Sequence, residues 1–192
     1  SRKYEHSIRN IVDAIMVGVG TIITDNPLLN VRNTKKHKDP LKIIVDSAAR
    51  IPIESNVLKF NPENTIVAVT KKAPQGKVRA IKNSGAQVIF VKTQENRVDL
   101  KDLLHKLGKM QISSVLIEGG ASLAGSAIEK NIVDKVMFFI SPKLIGGSLA
   151  LSPLGGNGVD KLQNAIKIYN VTIKRLGEDI LIEGYIKRKG KR

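Results

Sequence analysis

The stretch AIMVGVGT (residues 14–21) sets the fold class of this chain. Residues 14–17 form a continuous apolar run that stops at Gly18, which is typical of a strand buried on both faces. Runs of the same kind recur along the chain as LKIIVD (41–46), TIVAVT (65–70), QVIFV (87–91), SVLI (114–117) and VMFFI (136–140). Such repetition favours a sheet whose strands are mostly parallel.

In the segments between these runs, apolar residues recur at helical spacing. Short amphipathic patterns predict helices over residues 2–10, 77–83, 99–110 and 122–130, with Asp99 and Asn131 as the expected caps. Strands that alternate with helices predict an α/β domain with a sheet covered on both faces. Two alternating segments (166–176 and 180–187) flank Gly177-Glu178-Asp179 and predict a terminal hairpin, so we expect one mixed sheet that ends antiparallel.

Composition excludes several classes of protein. The chain has 192 residues, 42% of them hydrophobic, which fits one globular domain. It has no cysteine and three histidines, so thiol chemistry is excluded and a multi-histidine metal site is disfavoured. No apolar run reaches the length of about 18 residues that a membrane span needs.

The net charge of +15 is unevenly distributed along the sequence. Five basic residues lie in the last six positions and three more lie within residues 35–38, which we interpret as a solvated tail and loop. A nucleic-acid-binding module would explain the charge, but aromatic residues make up only 4% of the chain and tryptophan is absent. Binding of nucleic acid is therefore disfavoured as the main function.

The first candidate site follows the first strand. In Gly18-Val19-Gly20-Thr21 we expect a Gly-x-Gly turn, where the backbone can approach a phosphate closely. The segment is not the dinucleotide fingerprint, because position 23 is isoleucine instead of glycine. A plain turn is the alternative, just as Asp25 could be a cap and Arg32 a surface charge.

The second candidate site follows the strand at 114–117. Glu118 stands at its carboxyl end, and GGASLAGS (119–126) then turns into a helix of small residues. The free amides and positive dipole of a helix start suit a pyrophosphate. The alternative is a tight connection with Glu118 exposed. Since neither a P-loop nor a Gly-x-Ser-x-Gly elbow occurs, redox chemistry with a bound cofactor is the leading hypothesis.

Read in order, five segments carry a family resemblance: AIMVGVGTIITDNPLLNVR (14–32), IVDSAARIP (44–52), IEGGASLAGSAIEKNIVDKV (117–136), SPKLIGG (141–147) and GEDILIEGYI (177–186). Together they resemble the riboflavin-biosynthesis reductases, the reductase domain of bifunctional pyrimidine deaminase/reductases. The resemblance implies a dihydrofolate-reductase-like α/β/α fold, NADPH, a cytoplasmic homodimer, and reduction of 5-amino-6-(5-phosphoribosylamino)uracil to its ribitylamino counterpart.

The resemblance also implies roles for particular residues. The residues it implies for NADPH are Thr21, Asp25, Ser47, Gly120, Ala121, Ser122, Leu123, Ala124, Gly125 and Ser126. Those it implies for the substrate are Arg9, Leu29, Arg32 and Glu118. Arg9 and Arg32 would clamp the ribose 5-phosphate, and Glu118, the expected catalytic residue, would hydrogen-bond the sugar or stabilise positive charge there. From charge and position alone, Thr70, Lys71 and Lys72 are candidates for the 2′-phosphate of NADPH.

Residues 1–192 are expected to form a single reductase domain. In the family a strand and loop precede the helix that carries Arg9, and a deaminase with zinc ligands can precede these; neither is found in this sequence. The proton donor and the choice between a ribosylaminouracil and a diaminopyrimidine substrate stay open. Two other functions also stay open: a dihydrofolate-reductase-like enzyme on another substrate, and a basic non-catalytic module.

Overall fold

A computed structural model describes residues 2–32, 38–147, 150 and 152–187. Its helices are α1 (Arg2–Arg9), α2 (Val19–Asp25), α3 (Asn56–Lys59), α4 (Gln75–Asn83), α5 (Leu100–Lys109) and α6 (Ala121–Glu129). Its strands are β1 (Ala14–Gly18), β2 (Leu41–Val45), β3 (Thr65–Val69), β4 (Gln87–Phe90), β5 (Thr93–Gln94), β6 (Arg97–Val98), β7 (Val115–Ile117), β8 (Lys135–Ile140), β9 (Ile168–Leu176) and β10 (Asp179–Ile186). The basic stretch 33–37 and the basic positions 188–192 lie outside the described residues.

A parallel sheet of five strands forms the centre of the fold. Its strand order is β4-β3-β2-β1-β7, with Met16 of β1 paired to Ile43 of β2 on one side and Ile117 of β7 on the other. All the apolar runs predicted as buried strands do form strands. Five of them belong to this sheet, and the run 136–140 forms β8 of a second sheet described below. Because side chains alternate between the two faces of a strand, each run can fill two cores at once.

Helices cover both faces of the parallel sheet. Ile15 and Val17 of β1 pack into a core with residues of α2, α3 and α4. Ala14 and Met16 of the same strand pack with residues of α5 and α6 on the opposite face. The predicted three-layer α/β/α arrangement is therefore confirmed.

The caps predicted for two helices are also confirmed. Asp99 accepts hydrogen bonds from the amides of Lys101 (2.9 Å) and Asp102 (3.3 Å) at the start of α5. Asn131 follows the last turn of α6 with a φ of 55°, the left-handed conformation that ends helices.

The predicted terminal hairpin forms, but it belongs to a second sheet. β9 and β10 pair antiparallel across Gly177, and β10 pairs antiparallel with β8, giving the order β8-β10-β9. The expectation of one continuous mixed sheet was wrong in this respect. Alternating hydrophobicity identifies strands, but their partners are set by the packing of the whole chain.

The glycine turn predicted after β1 is a helix start instead. Gly18 ends β1 with a φ of −76°, and α2 begins at Val19, so Gly20 lies within its first turn. A Cβ atom at Gly20 would meet nothing within 4 Å. Neither glycine is needed for a left-handed backbone here.

Among the described residues, no helix has both the length and the apolar character that crossing a membrane requires.

Candidate active site

The two predicted phosphate-binding elements meet at the carboxyl ends of neighbouring strands. The amide of Glu118 donates to the carbonyl of Met16 (3.0 Å), which holds the end of β7 against β1. Gly119 and Gly120 follow with φ values of +69° and +77°, a region that favours glycine. Thr21 Oγ1 lies 3.5 Å from the position a Cβ atom would take at either glycine. Thr21 is therefore packed directly against this glycine turn.

The start of α6 presents free backbone amides. Gly120 is its N-terminal cap and carries no capping side chain, while its carbonyl accepts from the amides of Leu123 (3.0 Å) and Ala124 (3.1 Å). The amides of Ala121 and Ser122 precede these first intrahelical bonds, as in any helix. Helix starts of this kind favour anions through their backbone amides.

Other residues of the predicted cofactor loop face the protein. Leu123 is buried in the core between the sheet and α5. The backbone of Gly155 fills the space beside Gly125, and its amide donates to the carbonyl of Ala121 (2.8 Å). Gly125 therefore admits a loop of the protein itself, whereas Ala124 and Ser126 are half-buried further along the helix.

The ends of β2 and β3 are tied together by Ser47. Its carbonyl accepts from the amide (3.2 Å) and hydroxyl (2.8 Å) of Thr70, and its hydroxyl accepts from the amide of Val98 (3.1 Å). Lys72 Nζ donates to the side-chain oxygen of Asn96 (2.7 Å), while Lys71 is exposed. Of the three residues predicted for a 2′-phosphate, Thr70 is buried and both lysines are exposed.

Arg9 joins the predicted carboxylate to two other parts of the chain. Its Nε donates to both oxygens of Glu118 (3.2 and 3.1 Å), and its Nη2 lies 2.6 Å from Glu118 Oε1 and 2.6 Å from Glu5 Oε1. Its Nη1 donates to the carbonyl of Asn30 (3.1 Å). Arg9 as a whole residue is only 9% exposed. Its guanidinium therefore donates to groups of the protein.

This arrangement shifts the acidity of both carboxyl groups. Burial, and next the hydrogen bond with Glu5, raise the pKa of Glu118 to about 7, against the opposing effect of Arg9. The hydrogen bond with Glu118 and the charge of Arg9 lower the pKa of Glu5 below its ordinary value, although burial acts against them. Both shifts favour protonation of Glu118 over protonation of Glu5.

The remaining predicted residues lie around this cluster. Leu29 has a φ of 50° and is buried as a whole residue, so its side chain packs inside the protein. The amide of Arg32 donates to His6 Nδ1 (3.1 Å), which places the exposed Arg32 beside α1. Asp25 is exposed at the end of α2.

Glu5 and His6 were missed by the sequence analysis. The signal available for Glu5 was its spacing of four residues from Arg9 on a predicted helix. Nothing in the local sequence indicates that Glu118 would join the pair, because 109 residues separate it from Arg9.

Comparison with known proteins decides the family. The model of the RibD C-terminal domain matches residues 1–182. The chain belongs to this family. The resemblance identified from the five sequence segments is thereby confirmed.

Curated relatives carry names from riboflavin biosynthesis. The riboflavin biosynthesis protein RibD of Actinobacillus pleuropneumoniae is 41% identical over 175 residues, covering 91% of this chain and 46% of that protein. The 2,5-diamino-6-ribosylamino-4(3H)-pyrimidinone 5′-phosphate reductase of Aquifex aeolicus is 40% identical over 166 residues, covering 86% and 73%. The chain thus spans about half the length of the RibD relative and most of the Aquifex reductase.

Solved structures share the fold. Acinetobacter baumannii RibD superposes with a TM-score of 0.83 at 24% identity, covering 97% of this chain and 50% of that one. The Saccharomyces riboflavin biosynthesis reductase Rib7 gives 0.75 at 22% identity, covering 97% and 80%. These likenesses confirm the reductase-domain fold of the dihydrofolate-reductase type.

Proposed function

We propose that this chain catalyses the NADPH-dependent reduction of 5-amino-6-(5-phosphoribosylamino)uracil to 5-amino-6-(5-phosphoribitylamino)uracil. The observation that carries the proposal is the juxtaposition of Glu118 with the open start of α6 at one sheet edge. Ligands of α/β sheets bind at the carboxyl ends of the strands, where both features lie. The names of the relatives support the same class of reaction.

The residues at this edge fit a reduced dinucleotide. The left-handed Gly119 and Gly120 carry no side chains beside the start of α6, and neither does Gly155, where a Cβ atom would lie 3.1 Å from the amide nitrogen of Ser122. The amides of Ala121 and Ser122 would hold the pyrophosphate. When bound, NADPH supplies the hydride. Thr21 would line the same site from α2. Ser47, another predicted cofactor residue, would contribute to cofactor binding indirectly, by stabilising the end of β2.

Selection of NADPH over NADH is the role we assign to Lys71. It follows β3 at the same edge and is exposed, whereas Lys72 is bonded to Asn96. A lysine ammonium binds a phosphate as a point charge. We expect Lys71→Ala to lower the preference for NADPH by about tenfold, close to the effect of one charged contact. The exposed Lys109→Ala is the matched control.

The substrate phosphate is assigned to Arg32. Arg9 was predicted to share this role, but the structure commits its donors to Glu118, Glu5 and Asn30. We therefore propose that Arg9 orients Glu118 towards the sugar, while the exposed Arg32 binds the phosphate. Arg32→Ala should raise KM about tenfold or more for the phosphorylated substrate and little for its dephosphorylated form. The exposed Arg79→Ala should change neither.

The decisive experiment measures oxidation of NADPH with three substrates: the ribosylaminouracil phosphate, the diaminopyrimidinone phosphate and dihydrofolate. Turnover of the uracil compound is the expected result. The diaminopyrimidinone compound is the second candidate, because the Aquifex relative is named for it. Turnover of dihydrofolate alone would refute the proposal. Salt-sensitive binding to RNA without NADPH binding would instead favour a basic module.

We also propose that the chain acts as a homodimer through the sheet β8-β10-β9. One face of this sheet is largely apolar, with Ile173, Ile182 and Phe138 side by side and Arg175 opposite Ile180. Ile173 is 69% exposed, and its neighbours Val171 and Ile180 are 50% and 41% exposed. Exposed apolar patches of this kind are typical of interfaces between subunits.

Sedimentation equilibrium tests the dimer. Ile173→Lys should place a charge in the interface and yield monomers, whereas Met110→Lys, an exposed apolar residue at the end of α5, should not. A monomeric parent protein would refute the proposed dimer. The expected cytoplasmic compartment stays a prediction.

A further inference from the structure

Helix α1 connects the second sheet to the candidate active site. In its first turn, the ring of Tyr4 lies edge-on to that of Phe139 in β8, with the ring centroids 6.3 Å apart. Lys174 Nζ of β9 lies 5.7 Å from the centroid of the Tyr4 ring and donates to the Tyr4 hydroxyl oxygen (3.4 Å). In the last turn of α1, Arg9 binds Glu118 at the end of β7. The two ends of one helix therefore contact different sheets.

The ammonium group on which Tyr4 rests is itself fixed by the sheet. Lys174 Nζ donates to Glu183 Oε1 of β10 (2.9 Å), and the same oxygen accepts from the hydroxyl of Thr172 (3.2 Å). Lys135 of β8 forms an ion pair with the other carboxyl oxygen of Glu183 (3.3 Å). Glu183 is only 8% exposed, so water competes little for these contacts. Tyr4 thus contacts a group that three strands hold in place.

Helix α1 depends on contacts of this kind because it is short. It has eight residues, whereas isolated helices shorter than about 12–15 residues are marginal in water. The two residues that follow Tyr4 both reach the candidate site. Glu5 accepts from Arg9 Nη2 (2.6 Å), and His6 Nδ1 accepts from the amide of Arg32 (3.1 Å). A first turn that left the sheet would release both of these hydrogen bonds.

We propose that Tyr4 is a positioning residue for the substrate: by fixing the first turn of α1 on the sheet β8-β10-β9, it keeps His6 on Arg32 and Glu5 on Arg9. The inference rests on the proposed function, in which Arg32 binds the substrate phosphate and Arg9 orients the carboxylate at the end of β7. None of these contacts involves a residue assigned to the cofactor. Tyr4 therefore affects binding of the substrate and not binding of NADPH.

Kinetics of matched tyrosine variants test this role. Tyr4→Ala should raise KM for the ribosylaminouracil phosphate about fivefold, because the ring loses both its aromatic and its cationic contact, and should leave KM for NADPH unchanged. Tyr4→Phe keeps the ring and should hold KM within about twofold of the parent. The control is Tyr185→Ala, since Tyr185 of β10 lies 5.5 Å from Lys135 Nζ within the sheet itself. It should change neither KM.

Two kinetic outcomes would overturn the proposal. One is a parental KM for the substrate in Tyr4→Ala, and the other is an equal rise in KM for substrate and NADPH. If Tyr4→Ala does not fold, Tyr4→Leu takes its place in every measurement with the same expected outcomes, because leucine keeps apolar bulk but has no aromatic face for Lys174.

A double-mutant cycle separates positioning from a general loss of stability. If Tyr4 acts through Arg32, then Tyr4→Ala should raise KM for the substrate by less in a chain that already carries Arg32→Ala than in the parent. A rise of the same size in both backgrounds would contradict the proposal, since the two residues would then act independently.

Amide hydrogen exchange supplies a readout without turnover. In Tyr4→Ala, the amides of α1 and the amide of Arg32 should exchange faster than in the parent, whereas those of α6 should be unchanged. Parental exchange in α1 and at Arg32 would refute the anchoring role of Tyr4. A parent chain without turnover on any substrate would remove the proposed function, while the exchange rates would still decide whether Tyr4 holds α1 in place.

Discussion

The backbone of Gly155 occupies the space that a side chain on Gly125 would fill. Gly125 lies on α6, and Gly155 belongs to the long loop that follows β8. The hydrogen bond from Gly155 to the carbonyl of Ala121 (2.8 Å) fixes this loop on the helix. A glycine that sequence reasoning assigned to a cofactor therefore also has a structural partner within the chain.

This contact predicts opposite effects for two helical glycines. Gly125→Ala should lower the free energy of unfolding by about 1–3 kcal/mol, because the added methyl group must displace backbone. Gly108→Ala in α5, where a Cβ atom would meet nothing within 4 Å, should raise it by about 0.5–1 kcal/mol. Urea unfolding of both variants measures the difference. Equal effects would show that Gly155 does not pack on Gly125.

Glu118 should make stability depend on pH. Its ordinary pKa is 4.5 and its pKa in the folded chain is raised to about 7, so the stability it contributes is complete below 4.5 and is lost as pH rises through 7. Glu5 has the opposite sign because its pKa is lowered. Between about pH 5 and about pH 8 we expect Glu118 to lower the free energy of unfolding of the parent chain by on the order of 2 kcal/mol. Glu118→Gln should not show this decrease.

Urea unfolding at several pH values checks this expectation. Glu54→Gln is the control, since its carboxyl group is exposed and should leave the pH dependence as in the parent. A parent chain whose stability rises from acid to neutral pH to the same extent as Glu118→Gln would contradict the raised pKa of Glu118.

Asp13 should matter most in acid. Its Oδ2 accepts hydrogen bonds from the amides and hydroxyls of Ser113 and Ser114, between 2.7 and 3.0 Å long, and these lower its pKa well below the ordinary value of 3.8. The stability from Asp13 is therefore present above 3.8 and is lost as pH falls below it. Asp13→Ala should have a lower melting temperature than the parent at neutral pH. The difference in melting temperature between the two proteins should become smaller in acid. Asp25→Ala, at an exposed helix end, is the comparison that should show neither effect.

At Leu29, backbone strain and burial of the side chain have opposite effects on the stability of the fold. Its φ of 50° costs about 1 kcal/mol for a residue with a side chain, whereas burying a leucine contributes about 2–3 kcal/mol. Because the gain from burial exceeds the cost of strain, Leu29→Gly should destabilise the fold by about 1–2 kcal/mol. Ala49→Gly, at a φ of 52° with only a methyl group buried, should be close to neutral in the same unfolding assay. A stabilised Leu29→Gly protein would mean that strain outweighs burial at this position.

The parallel sheet could be predicted because each of its strands is an apolar run that must be buried on both faces. The β5-β6 hairpin was missed, because Glu95 and Asn96 adopt positive φ values of 50° and 61° without the glycine that usually indicates such a turn. Two parts of the site, Glu118 and the start of α6, could be predicted because both directly follow one strand. The pairing of Arg9 with Glu118 depends on packing between distant segments, which periodicity cannot show.

The position of β1 has a consequence for synthesis of the chain. β1 ends at Gly18, but its second neighbour β7 begins only at Val115. On the ribosome, one edge of this buried strand lacks its hydrogen-bond partner until almost a hundred further residues have been made. An open edge of this kind can associate with other nascent chains. Early closure of this edge by chaperones or by the helices already made should therefore determine how much of the protein reaches the native state during translation.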